Sequence, residues 1–265
     1  MNSERRATIK TTVNLSTSEL TLLILLFFIT SAIGVVTGSN SLITVPVMFQ
    51  FGIDPKIAVA TNMFGLTFMN IGATIPFLRR GAIDVKKVSP LIFITLVASA
   101  IGAILLMFIT PQNIKLLVSI AMISVTLFTL FKRDAGIAAV SEISNRARIL
   151  TYVLTFILGI YGGLYSGGYT TMLTAVYVAF FGMTFTESVA STKLINVFSS
   201  SIASLIFMWQ GLIDYKLGAI LAVTMFIGAY IGAYTVTKLN DVWLKRIFLT
   251  TVLILAIKTI FDFGF

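Results

Sequence analysis

Two long stretches of this chain contain no charged residue, and each is interrupted near its middle by glycines and small polar side chains. The first runs from Leu20 to Ile53 and holds Gly34-Val35-Val36-Thr37-Gly38-Ser39-Asn40-Ser41, with Pro46 just beyond. The second runs from Ile149 to Thr186 and holds Gly162-Gly163-Leu164-Tyr165-Ser166-Gly167-Gly168-Tyr169-Thr170. A hydrocarbon core ~30 Å thick takes about 20 helical residues. Each stretch is therefore too long for one crossing and barely long enough for two. Non-helical backbone at membrane depth survives only where it is buried in protein or lines a cavity. The two interruptions are expected to sit inside the protein and to form the substrate site of a transporter.

The rest of the chain fits a membrane setting. It is 57% hydrophobic and 11% charged, against about 25% charged for a soluble domain. There is no Cys and no His, which removes disulfides, thiolate metal sites and the commonest proton shuttle. A net charge of +9 would suggest nucleic acid in a soluble protein. In a polytopic one the Lys and Arg read as topology signals and lipid contacts, so the lipid bilayer is the expected partner and nucleic acid is not.

The fold class expected is an all-α integral membrane protein of about eight transmembrane helices in two homologous halves, each with a Gly-broken helix near its first span. Residues 1–19 read as a cytoplasmic tail with Arg5, Arg6 and Lys10, 20–131 as the first membrane repeat, 132–148 as a cytoplasmic linker and 149–265 as the second repeat. The spans fall near 20–36, 57–78, 88–109, 116–131, 149–165, 188–209, 217–236 and 246–261. Segments 41–51 and 171–181 either cross or re-enter. The halves match at a nearly constant spacing. Gly34 and Gly38 align with Gly163 and Gly167, Ala60-Thr61-Asn62 with Ala190-Ser191-Thr192, and Gly81 to Lys86 with Gly211 to Lys216. Internal repeats are a common way of building transporters. The bias of Lys and Arg favours four crossings per half, parallel repeats and both termini inside. Five crossings per half, with inverted repeats, ranks second.

A helix restarting after a break points free N–H groups and a partial positive charge into the protein, which suits an anion. Gly38, Gly167 and Gly168 let backbone approach a ligand, and Ser39, Asn40, Ser41, Tyr169 and Thr170 can donate hydrogen bonds. The bland alternative is small-residue helix packing. Thr61-Asn62 and Ser191-Thr192-Lys193 lie about one turn into their spans, with Asn196 one turn further. Lys193 is an intramembrane cation and thus a candidate for function, unless it snorkels to the interface. Asp84 and Asp214 are expected to cap helices, and Gly228-x-x-x-Gly232 to pack. No Asp or Glu lies deep in a span, and no nucleophile or acid–base pair stands out, so an enzyme is not expected. No cofactor or metal is called for.

These patterns resemble the sulfite exporter TauE/SafE family over residues 25–262. The resemblance rests on Gly34 to Pro46, Ala60-Thr61, Gly162 to Gly168, Ala190-Ser191-Thr192-Lys193-Leu194, Gly211 to Asp214 and Gly228 to Ala233. The chain departs from the family pattern at Ser39, Asn40 and Ser41, where members often carry further glycine. The resemblance implies a multi-pass permease of the cell membrane that exports sulfite, a sulfonate or a related small anion. A passive anion channel, or a non-transporting membrane component of sulfur metabolism, are the other readings. The coupling ion and any homo-oligomer are not specified by the sequence.

Overall fold

The computed structural model describes residues 15–38, 40–114, 116–117, 120, 143–239, 243 and 246. The expected spans at 116–131 and 246–261 lie largely outside these residues, as do the tail through residue 14, Ser39 and linker residues 132–142. The described helices are α1 (Thr17–Thr37), α2 (Asn40–Gln50), α3 (Pro55–Arg79), α4 (Val85–Phe108), α5 (Asn145–Leu164), α6 (Tyr169–Phe180), α7 (Phe185–Trp209) and α8 (Tyr215–Val236). No strand occurs among the described residues. All but α2 and α6 are long and apolar enough to cross a membrane. At about 1.5 Å of rise per residue, α2 and α6 cover roughly half of a ~30 Å core.

Polar side chains start the apolar helices where the first N–H groups lack partners. Ser16 caps α1 in a capping box with Glu19, and Thr184 does the same for α7 with Glu187. Asp54, Asp84 and Asp214 cap α3, α4 and α8. The last two are the aspartates expected to act this way.

Adding 130 to a residue number carries α3 onto α7, from Pro55–Arg79 to Phe185–Trp209, and cap Asp84 onto cap Asp214. It also carries the left-handed glycines Gly38, Gly52 and Gly81 onto Gly168, Gly182 and Gly211. The first break therefore matches the second through Gly38 and Gly168, one residue away from the alignment of Gly34 and Gly38 with Gly163 and Gly167. Hydrogen bonding repeats at the same spacing. Thr44 Oγ1 donates to Asn62 Oδ1 at 2.9 Å, and Thr174 Oγ1 lies 3.4 Å from Thr192 Oγ1.

The directions of these helices correct the preference for parallel repeats. Helices α3 and α7 face one another antiparallel: Thr67 Oγ1 lies 3.3 Å from Ser204 Oγ, while Thr61 reaches Asp214 beyond the end of α7. Helix α8 instead runs alongside α3 in the same direction, from Thr61 near Asp214, through Gly72 on Phe226, to Arg80 Nη1 donating to Thr237 O at 2.7 Å. Helix α1 is parallel to α8, with Gly228 against Phe28 and Gly232 against Ala32. Helix α5 is parallel to α4, with Gly159 against Ala98 and Gly102 against Ile160 and Leu164. The expected packing role of Gly228 and Gly232 is thus filled by α1. Small residues at these crossings let backbones close on each other where lipid supplies no hydrophobic drive.

Candidate functional site

The two chain breaks meet. Gly38 ends α1 with φ 69° and Gly168 precedes α6 with φ 75°, a left-handed conformation that glycine adopts freely. At Gly38 there is a second constraint. A Cβ there would lie 2.7 Å from the Thr171 nitrogen and inside the Thr170 hydroxyl. The backbone after α1 is therefore pressed directly onto the start of α6.

This junction satisfies carbonyls that a helix C-terminus leaves without partners. Thr171 Oγ1 donates to Thr37 O at 2.5 Å, and Thr170 Oγ1 donates to Gly38 O at 3.0 Å. Tyr165 OH donates to Ser41 O at 2.9 Å, and Tyr161 OH donates to Gly167 O. Gly34 O accepts from Gly38 N at 2.9 Å and from Lys193 Nζ at 2.9 Å. Lys193 is only 2% exposed, so it does not snorkel to an interface. Its ammonium reaches from α7 to the negative end of the α1 dipole, where a cation is favoured.

A small cavity of about 10 Å³ lies at the junction, room for about one water molecule. Of the residues expected at a site, Gly38, Asn40, Ser41, Thr170, Lys193 and Asn196 line it. Gly34, Leu66, Met69, Asn70 and Ser166 line it too. Gly34 and Ser166 belong to the broken motifs and Asn70 is a polar residue in an apolar span, so each carried a signal. Leu66 and Met69 look like any other apolar helical residue. No carboxylate lines the cavity. Both side-chain atoms of Asn40 and Oδ1 of Asn196 are buried without a hydrogen bond to protein, a cost of about 1–3 kcal/mol for each such group.

The other expected residues surround the junction. Thr61 Oγ1 accepts from Asp214 N at 3.1 Å and so ties α3 to the turn before α8. Asn62 Nδ2 donates to Ser41 Oγ at 2.9 Å and fixes the start of α2. Thr192 Oγ1 donates to Val189 O at 2.9 Å, and Ser191 is buried beside it. Gly167 and Gly168 shape the second break. The ring of Tyr169 packs on Gly162, and the whole side chain is buried. Ser39 lies outside the described residues.

A family model described as sulfite exporter TauE/SafE matches residues 23–259. The chain belongs to the TauE/SafE family. Its similar relatives include a probable membrane transporter protein, ORF9, of Sinorhizobium sp., 25% identical over 89% of this chain and 90% of that protein. A probable membrane transporter protein of Haemophilus influenzae is 24% identical, covering 89% of this chain and 92% of its own length. The probable membrane transporter protein YfcA of Escherichia coli K12 is 25% identical, covering 91% and 90%. No solved structure matches. Membership in this TauE/SafE family, with helices suited to spanning, makes the chain a multi-pass membrane protein of a transporter family. Both breaks and Lys193 lie inside the matched region.

Proposed function

We propose that the chain is a secondary carrier that exports a small sulfur-containing anion, such as sulfite or an organosulfonate, across the cell membrane by alternating access. The observation carrying this reading is Lys193: a buried ammonium at the junction of two broken helices, with no carboxylate lining the same cavity. Helices α2 and α6 begin at this junction and direct their first N–H groups toward it. The unpaired amide of Asn40 supplies a further donor through its Nδ2. At about 10 Å³ the cavity cannot hold an oxyanion unless α1, α3 and α7 separate. Opening to one face at a time is the motion that an alternating-access carrier requires.

The sequence halves act here as inverted repeats, because α3 and α7 oppose one another. The breaks turn the chain back: the Asn40 Cβ lies 3.1 Å from where a Gly34 Cβ would sit. Helices α1 and α2 thus form a hairpin, and α6 turns back along α5 likewise. In this arrangement the tail before α1 and the linker before α5 leave on opposite faces. Arg79, Arg80, Lys86, Lys87, Arg146, Arg148 and Lys238 accumulate on the linker face, against Lys56 and Lys216 on the other, where the tail adds Arg5, Arg6 and Lys10. The linker face is therefore cytoplasmic by the positive-inside rule, and the N-terminal tail is not, which revises the orientation expected from sequence.

The deciding experiment is anion flux in proteoliposomes with sulfite, sulfate, thiosulfate and a short sulfonate, run on the native chain and on Lys193→Met. A saturable flux lost in the variant is expected. Equal flux in the folded variant removes Lys193 from the site, and no flux with any anion removes the anion reading.

A further inference from the structure

The two halves of the sequence and the two packed bodies of the molecule do not coincide. The spacing of 130 carries α3 onto α7 and the cap of α4 onto the cap of α8. In space, however, α8 packs on α1 and α3, and α4 packs on α5 and α7. Neither α4 nor α8 packs to a comparable extent on the described helices of its own half. Each half has handed its fourth described helix to the other. One body is α1, α2, α3 and α8, and the second is α4, α5, α6 and α7.

Contacts inside a body differ in kind from contacts between bodies. In the first body a Cβ at Gly72, Gly228 or Gly232 would lie 2.6, 2.6 or 2.3 Å from the carbonyl oxygen of Phe226, Phe28 or Ala32. In the second, a Cβ at Gly102 or Gly163 would lie 1.9 or 2.1 Å from the carbonyl oxygen of Ile160 or Ser99. Backbones seated this closely on small residues form tight helix pairs in a membrane. Ser99 Oγ also lies 2.6 Å from Ser199 Oγ, tying α4 to α7. Between the bodies α3 faces α7. Helix α7 has no glycine, and both glycines of α3, Gly65 and Gly72, meet α8 instead. That crossing is made by side chains such as Thr67 and Ser204. A close backbone contact across the boundary does occur at the junction, where Gly38 meets Thr171.

The described chain passes between the bodies at residues 80–84 and 210–214. Each passage holds a glycine with φ 66°, Gly81 and Gly211, and a Cβ on either would meet nothing within 4 Å. Because α3 and α7 are antiparallel, the two turns lie on opposite faces. Residues at the ends of elements are where hinges absorb backbone change. We infer that the bodies that move are these exchanged sets of helices rather than the sequence halves. They rock across the α3–α7 boundary, with the junction as pivot and the turns at Gly81 and Gly211 as hinges. This rests on the alternating-access reading above.

Two hydroxyl pairs test it, and both join opposite halves of the sequence. Thr67 and Ser204 span the boundary, while Ser99 and Ser199 lie inside the second body. With no native cysteine, Thr67→Cys/Ser204→Cys and Ser99→Cys/Ser199→Cys can be oxidised to disulfides in proteoliposomes, the loss of free thiols showing that each bridge has formed. Flux is followed with a short sulfonate or sulfate, since sulfite itself cleaves disulfides. The boundary pair is expected to lose flux on oxidation and regain it on reduction, and the other pair to keep it throughout. Loss in both pairs would mean that α4 moves against α7, and the exchanged bodies would be wrong. Retention in both would mean that α3 and α7 do not separate, and the boundary would be wrong. Native chain that moves neither anion tells against the carrier reading, and spin labels at exposed positions then decide the division, as they do if a pair fails to fold. Leu78→Cys with Tyr234→Cys lies within the first body, and Leu78→Cys with Ile149→Cys spans the two. One distance within the body and more than one across are expected; a single distance across, or several within, overturns the inference.

Discussion

Gly38 and Gly52 offer a controlled comparison of what the meeting of the two breaks contributes to stability. Both have left-handed backbone, with φ 69° and 73°, so an alanine at either position meets the same conformational penalty of about 1–3 kcal/mol. They differ in surroundings. A Cβ at Gly52 meets nothing within 4 Å, whereas at Gly38 it meets Thr170 and the Thr171 nitrogen at 2.7 Å. The Thr171 atom is backbone inside a helix and cannot rotate away. Overpacking of this kind adds about 1–3 kcal/mol. Gly38→Ala should therefore be destabilised beyond Gly52→Ala by that excess. The assay is heating in detergent, following the monodisperse fraction of the two variants side by side. A clearly lower midpoint for Gly38→Ala is expected, together with reduced flux per folded molecule. Equal midpoints would mean that the end of α1 is not pressed onto α6, and the junction described above would be wrong.

Other outcomes can be checked with the same preparations. Thr61→Val removes the acceptor of the buried Asp214 N–H and should cost about 1–3 kcal/mol, yet flux per folded molecule should persist because Thr61 is a strut between α3 and α8. Asn62→Leu should impair both stability and flux, since Asn62 bonds to Ser41 and Thr44 at the start of α2; measuring both on one sample separates it from Thr61. The chain has no cysteine, so single replacements Ser3→Cys and Ser141→Cys can be labelled without background. A membrane-impermeant maleimide applied to intact cells should label the first and spare the second, and the same result at both positions would refute opposite faces for tail and linker.

Much of the site was legible because lipid makes its features costly. A lysine in an apolar span and glycine clusters in uncharged runs are rare without cause, and Lys193, Gly38, Asn40 and Thr170 do converge. The register of the second break was not legible. Gly162, Gly163, Gly167 and Gly168 all look alike in sequence, but only Gly168 has positive φ; Gly163 instead packs on Ser99 and Gly162 on Tyr169. Thr61 and Asn62 looked like ligand contacts because a polar group in a span must find some partner, and sequence does not say whether that partner is cargo or protein. Leu66 and Met69 gave no signal at all, since an apolar wall of a cavity has the composition of any packed helix. Helix direction was hidden for a different reason. Charge bias counts loops, and a hairpin formed by one long and one short helix returns the chain to the face it left without leaving any charge to mark the turn.

The parallel seating of α1 on α8 has a consequence for how the molecule is made. Phe28 and Ala32 close against Gly228 and Gly232, partners that the ribosome has not yet synthesised when α1 enters the bilayer. The first helix must wait beside lipid until almost the whole chain has emerged, and contacts of such long sequence separation form late. Helix α5, by contrast, meets α4 already in place. Residues 20–131 and 149–265 look like separable modules on paper, but the earlier one lacks the surface that completes it. A chain interrupted during synthesis would carry an unclosed first helix, available to membrane quality control until the last segment arrives.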